Sequence, residues 1–151
     1  MRRALGYFLM ANLGLGAACS PSVDDHGLTA ARARWARRAP ADYRFVWTRA
    51  CECPPELARP IEISVASDQL TGAVYTDDRT AVADSYRSTL RTIDGMFDDL
   101  QMAIDQSADE IDLGFDAALG YPTSVFVDYS RQIADEELQL RISGLTPAAA
   151  R

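Results

Sequence analysis

The chain has 151 residues, with 15 arginines and no lysine against 22 acidic residues, one histidine, three cysteines and a formal net charge of −7. That length suits one domain of ordinary size with a real core and would crowd two. The acidic balance argues against nucleic acid, or an anionic lipid surface, as a partner of the whole body.

The chain opens MRRALGYFLMANLGLGAACS, with Arg2 and Arg3 followed by an uncharged run from Ala4 to Ala18 and small residues before Cys19. A membrane span needs about 20 apolar residues. The run is short for that and suits the apolar core of a secretory signal with its basic start. Gly16 and Ala18 satisfy a small-x-small cleavage site, while Gly16-Ala17-Ala18-Cys19 also resembles the lipobox of bacterial lipoproteins, whose cysteine is acylated and becomes the first mature residue. Leucine usually stands three before that cysteine, and here Leu15 stands four before. The expectation is a signal peptide over residues 1–18, a lipid-anchored tether over 19–27, a single domain over 28–145 and a disordered tail over 146–151. Simple secretion with a free Cys19 is the alternative. With Cys19 acylated, Cys51 and Cys53 remain as an even pair for an oxidising compartment.

Residues 28–39, LTAARARWARRA, predict a helix with Leu28, Ala31, Trp35 and Ala39 on one side and arginines over much of the rest, stopped by Pro40. Its basic run reads as a solvated face in preference to a partner patch. From Tyr43 the period changes to two: Tyr43, Phe45 and Trp47 alternate with Arg44, Val46 and Thr48 as in a half-buried strand reaching Cys51. These aromatics, with Trp35, read as core. Pro54 and Pro55 end the strand. Alternation returns over Ile61–Val65 and Leu70–Thr76, and the short polar SDQ between them predicts a hairpin. Residues 76–88 show no period and read as a loop with a turn of helix. TIDGMFDDLQMAIDQ, 92–106, predicts the strongest helix: Ile93, Met96, Phe97, Leu100, Ala103 and Ile104 recur at helical spacing, Thr92 can cap and Asp94 sits in the first turn. Three strands follow, around Ile111–Phe115, Val125–Val127 and Leu138–Ile142, with Gly120-Tyr121-Pro122 turning the chain between the first two. Helix then three strands, twice, predicts an α+β domain: an antiparallel sheet of about six strands, both helices on one face, conceivably as two α-β-β-β halves.

The pair in CECPPE is the main chemical question. Residues two apart on a strand are separated by about 6.6 Å, near the upper limit for a disulfide, so a bridge requires the chain to bend. Closing so small a loop contributes under about 2 kcal/mol. The reading places a local disulfide first, two reduced or buried thiols second, and a metal or redox role third. Zinc needs four Cys or His ligands, and His26 stands in the tether; Cu(I) shared by Cys51 and Cys53 is the metal option. The acidic doublets Asp77-Asp78, Asp98-Asp99 and Glu136-Glu137 point apart in any regular element and read as solvated surface. No nucleophile motif or glycine-rich phosphate loop is present, so no catalytic residue and no cofactor is assigned.

Several segments fall together: RARWARRAPADYRFVWTRACECPPE, PIEISV, RTIDGMFDDL and GYPTSVFVDYSRQIADEE. In this arrangement the chain resembles a family of bacterial lipoproteins known as domain of unknown function 6174, over roughly residues 30–145. The resemblance implies an address and domain limits, and no activity. The expected role is binding or structural, at the cell envelope, with the membrane engaged through the lipid on Cys19 and Tyr121 offered at a loop tip as a contact surface for another envelope component, the alternative for Tyr121 being to pack over the sheet end. Ser20 fits sorting to the periplasmic side of the outer membrane in a Gram-negative host. A thiol-redox or Cu(I)-handling protein using Cys51 and Cys53 is the alternative.

Overall fold

A computed structural model describes residues 25–133 and 137–148. In chain order the elements are α1 (Asp25–Arg38), β1 (Asp42–Ala50), α2 (Pro55–Ala58), β2 (Ile61–Ala66), β3 (Gln69–Tyr75), α3 (Asp84–Arg87), α4 (Ile93–Asp105), β4 (Glu110–Phe115), β5 (Pro122–Asp128) and β6 (Leu138–Pro147). Among the described residues no helix is long and apolar enough to cross a membrane.

The six strands form one antiparallel sheet in the order β3-β2-β1-β6-β5-β4. The alternation in each strand sends one set of side chains inward: Tyr43, Phe45 and Trp47 from β1, Ile61, Ile63 and Val65 from β2, Val125 and Val127 from β5, Leu140 and Ile142 from β6. Leu28, Ala31 and Trp35 of α1 and Met96, Phe97, Leu100 and Ala103 of α4 close over that same face in one continuous core. The α+β class, the six antiparallel strands and the two long helices on one face are as the sequence predicts. Arg44, Glu62, Ser64 and Arg141 occupy the opposite parity, on the open face.

Local chemistry explains most boundaries. Ser67 and Asp68 both take positive φ, 49° and 58°, which makes the β2–β3 link a two-residue hairpin turn of the type whose twist matches the strands. Thr92 caps α4, its hydroxyl accepting from the Gly95 amide at 3.1 Å. Residues 76–82 fold back on the β3 edge, where the Val82 amide donates to the Ala73 carbonyl at 3.0 Å and cover of this kind protects an edge strand.

Three features differ from expectation. Pro55 starts a helical turn, α2, whose Leu57 is buried; proline suits a first helical position because its missing N–H has no intrahelical partner there. β6 continues to Pro147, so Thr146 pairs with Arg44 and Pro147 with Tyr43 inside the stretch expected to be a disordered tail. Gly144, at φ 62°, lies at the register shift opposite Phe45 and returns Leu145 to the core side. Finally, the two α-β-β-β halves hold as an element order, but not as equivalent positions in the sheet. The first half places its first strand at the centre and the second half its last, because β1 pairs with β6.

Candidate functional site

β1 ends at Ala50, and the chain bends through Cys51-Glu52-Cys53 before Pro54. The bend brings the two Cα atoms to 5.2 Å, with the sulfurs at bonding distance, which meets the geometric condition that a straight strand would fail. Both cysteines are half-buried. They line a groove of about 380 Å³ at the sheet end, together with Arg49, Glu52, Phe126 and Glu137.

Behind that groove, on the core side, lies a smaller cavity of about 60 Å³ between α4 and the ends of β1, β5 and β6. Trp47, Leu100, Val125, Val127 and Leu140 give it apolar walls, and Arg49, Arg91 and Asp99 supply charge. Arg91 is committed: its Nε donates to the Asp99 carboxylate at 2.8 Å and its Nη1 to the Ser88 carbonyl at 2.9 Å. Arg49 is not. Its Nε is shielded from solvent and has no hydrogen-bond partner among the described residues.

Arg49 occupies the fourth inward position of the run Tyr43, Phe45, Trp47, Arg49, paired across the ladder with Leu140. The alternation that marks the aromatics as core also aims this guanidinium inward. The sequence signal for it was present: a charge continuing an apolar parity at the end of a strand. Leaving a polar N–H shielded from water and without a partner is costly, and among the described residues Arg49 Nε, on an otherwise half-buried side chain, is in that position. Arg32 pairs with Asp98, and Arg38 donates to the Ala118 carbonyl at 2.9 Å.

Tyr121, expected at a loop tip as a contact, is instead buried, only 9% exposed, with its ring edge-on to Trp35. Burial raises its phenol above the ordinary value, and the Asp116 charge adds to that. The acidic doublets face solvent, as expected, yet are engaged: Asp77 and Asp78 hold Arg59, which also lies 3.8 Å over the Tyr75 ring, and Asp98 and Asp99 hold Arg32 and Arg91. Glu136 lies outside the described residues, as do Cys19 and the expected signal and tether as far as residue 24, while residues 25–27, expected in the tether, instead begin α1. Among the described residues no group of three His, Cys, Asp or Glu side chains converges as a metal site.

A two-layer α+β domain with a disulfide-lined groove and a small charged cavity at the end of its sheet is the class that fold and site define. Residues 27–147 match a family of unknown function, DUF6174, and the chain belongs to that family. No curated protein and no solved structure matches it.

Proposed function

We propose that this chain is an exported, lipid-anchored protein of the bacterial cell envelope whose domain serves as a binding module, without catalysis of its own. The N-terminal sequence supports the address: Arg2 and Arg3, an apolar run and Gly16-Ala17-Ala18 before Cys19 read together as an export signal ending in an acylation site. Several acyl chains at about 0.8 kcal/mol per buried CH₂ make such an anchor firm. A Cys51–Cys53 bridge suits an oxidising compartment. In a Gram-negative host, Ser20 directs the protein to the periplasmic side of the outer membrane.

The observation that carries the binding role is Arg49, a half-buried arginine on the core side of the sheet whose Nε is shut from solvent and has no partner among the described residues. Cell fractionation of the native chain and Cys19→Ser tests the address. The native chain is expected in the membrane fraction and the variant in the soluble envelope fraction; equal distribution of the two overturns the anchor.

A second reading has one observation in its favour. Cys51 and Cys53 line the open groove, where a soluble thiol or Cu(I) could reach them. Titration of the reduced chain with Cu(I) decides it, since binding no tighter than that of Cys53→Ser removes the metal role.

A further inference from the structure

We infer that the Cys51–Cys53 bridge in the open groove undergoes thiol–disulfide exchange with a cysteine pair carried on a positively charged polypeptide segment, which Glu52 and Glu137 select by charge. The inference rests on the thiol form of the second reading above and names the partner for it. Three observations support it.

The first is that the bridge is accessible and holds little together. Both cysteines are half-buried and line the groove of about 380 Å³. They stand two residues apart, and closing so small a loop adds little to stability. The chain on either side is held by other contacts: Ala50 pairs with Gln139 in the sheet, and Leu57 of α2 is buried. A thiol from outside therefore reaches the sulfurs without unfolding the domain, and access is one of the conditions for exchange.

The second is charge. Among the groove's lining residues, Glu52 and Glu137 are exposed carboxylates set against one guanidinium, that of Arg49. One positive and two negative side chains leave the groove net negative, on a chain whose formal net charge is −7. An attacking thiolate is itself negative. A thiol on an acidic carrier is therefore repelled, and one between basic side chains is drawn in.

The third is apolar surface. Phe126, half-buried, forms part of the groove wall. The connection from β5 to β6, on which Glu137 also lies, carries Tyr129 and Ile133, 38% and 57% exposed. A small thiol would cover little of this surface, whereas a polypeptide laid across the sheet end would bury it.

The exchange balances without a further reagent. One partner thiolate attacks a sulfur of the bridge; a new S–S bond forms, the old one breaks, and its electron pair leaves on the other cysteine, which takes up a proton. The partner's second thiolate then attacks the partner's own sulfur in the mixed disulfide. This closes a disulfide on the partner and frees the remaining cysteine as a thiol. Two electrons and two protons have passed from the partner to Cys51 and Cys53. The chain is the oxidant and is spent by the exchange, in keeping with a binding role and not with turnover.

The test exposes the purified full chain, its bridge closed, to three reductants: the capped dithiol peptides Arg-Cys-Ala-Cys-Arg and Glu-Cys-Ala-Cys-Glu, and cysteamine. Acid quenching, alkylation and mass spectrometry of the peptide containing Cys51 and Cys53 give the rate of opening. Each rate is divided by that of the same thiol toward bis(2-hydroxyethyl) disulfide, which removes differences in intrinsic reactivity. At low salt the cationic peptide should open the bridge at least about tenfold faster than the anionic one, and the ratio should fall toward one in about 0.5 M salt. Cysteamine, with one charge and no chain, should fall between them. Glu52→Gln combined with Glu137→Gln should bring the ratio below about threefold. Asp68→Asn, in the β2–β3 turn at the opposite end of β1, should leave it unchanged. These changes are near-isosteric and at exposed positions, so melting curves should match that of the native chain. Equal rates for the two peptides at low salt, or an undiminished ratio in the double variant, overturn the charge selection, and cysteamine matching the cationic peptide overturns a polypeptide partner. In those cases the bridge still opens and the thiol reading stands; a bridge that stays closed to all three reductants overturns that reading together with this inference.

Discussion

The ring of Tyr121 stands edge-on to the indole of Trp35, their centroids 6.3 Å apart, and this contact ties the β4–β5 turn to α1. The turn is arranged for it. Asp116 accepts from the Ala118 and Leu119 amides at 3.0 and 2.7 Å, and its backbone amide donates to the Tyr121 carbonyl at 2.9 Å. Gly120, between them, takes φ 91°, with the Ala31 carbonyl and Arg34 where a side chain would stand. Gly120→Ala is therefore expected to cost at least about 2 kcal/mol, from both the left-handed backbone and displacement of α1. Urea unfolding with an unchanged slope measures it; a loss within about 0.5 kcal/mol would show that the turn yields freely.

Tyr43 gives the fold an alkaline limit. Its hydroxyl accepts from the Ile93 amide at 3.2 Å, and burial, reinforced by the Asp94 and Asp68 charges, pushes it up to about 12 from an ordinary value of 10.0. A group raised on folding contributes stability that is complete below its unfolded value and lost as pH rises through its folded one. Stability should thus fall between about pH 10 and 12. Tyr43→Phe should flatten that fall in part, because Tyr75 and Tyr121 are raised in the same direction. At neutral pH the variant should lose about 1 kcal/mol, the Ile93 amide having lost its acceptor. Denaturant midpoints across the alkaline range check both effects.

At the acid end, Asp78 is held down to about 2 from an ordinary 3.8, first by the Thr80 hydroxyl and amide and then by Arg59. Asp77 is lowered by the same guanidinium. A depressed carboxylate contributes stability above its unfolded value and loses it as pH falls through the folded one, so the window here lies between about 4 and 2. Asp78→Asn should shallow the acid limb of the stability curve there. The cluster is exposed, so added salt should reduce the difference between the two proteins. A difference that persisted unchanged in high salt would contradict the ion-pair contribution.

Much of this architecture was legible in the sequence, for identifiable reasons. α4 announced itself through a helical apolar repeat with a capping threonine, and β2–β3 through period-two alternation around a short polar link. The pairing of β1 with β6 joins segments nearly a hundred residues apart, and no local signal encodes it. Its consequences, the ordered Thr146 and Pro147 and the unequal placing of the two halves, were hidden for the same reason. Tyr121 was misplaced because a Gly-Tyr-Pro turn looks like a surface tip until α1 is known to pack over it. Arg49 extends the aromatic alternation by one step, so its inward parity is legible in the sequence, whereas the shielding of its Nε depends on how β5, β6 and α4 pack around it and is not.

The Cys51–Cys53 bridge closes so small a loop that reduction should cost under about 2 kcal/mol and leave the domain folded. Thiol counting on the purified chain, with melting curves before and after reduction, measures this. Collapse of the fold on reduction would show that the bend before α2 depends on the bridge.

The most direct test of the envelope assignment is intact-mass spectrometry of the protein extracted from membranes of cells expressing the native chain. The account predicts a polypeptide beginning at Cys19 and carrying added mass of diacylglyceryl and fatty-acyl size. A chain retaining Met1, or one recovered in the cytosol without a lipid adduct, would contradict it.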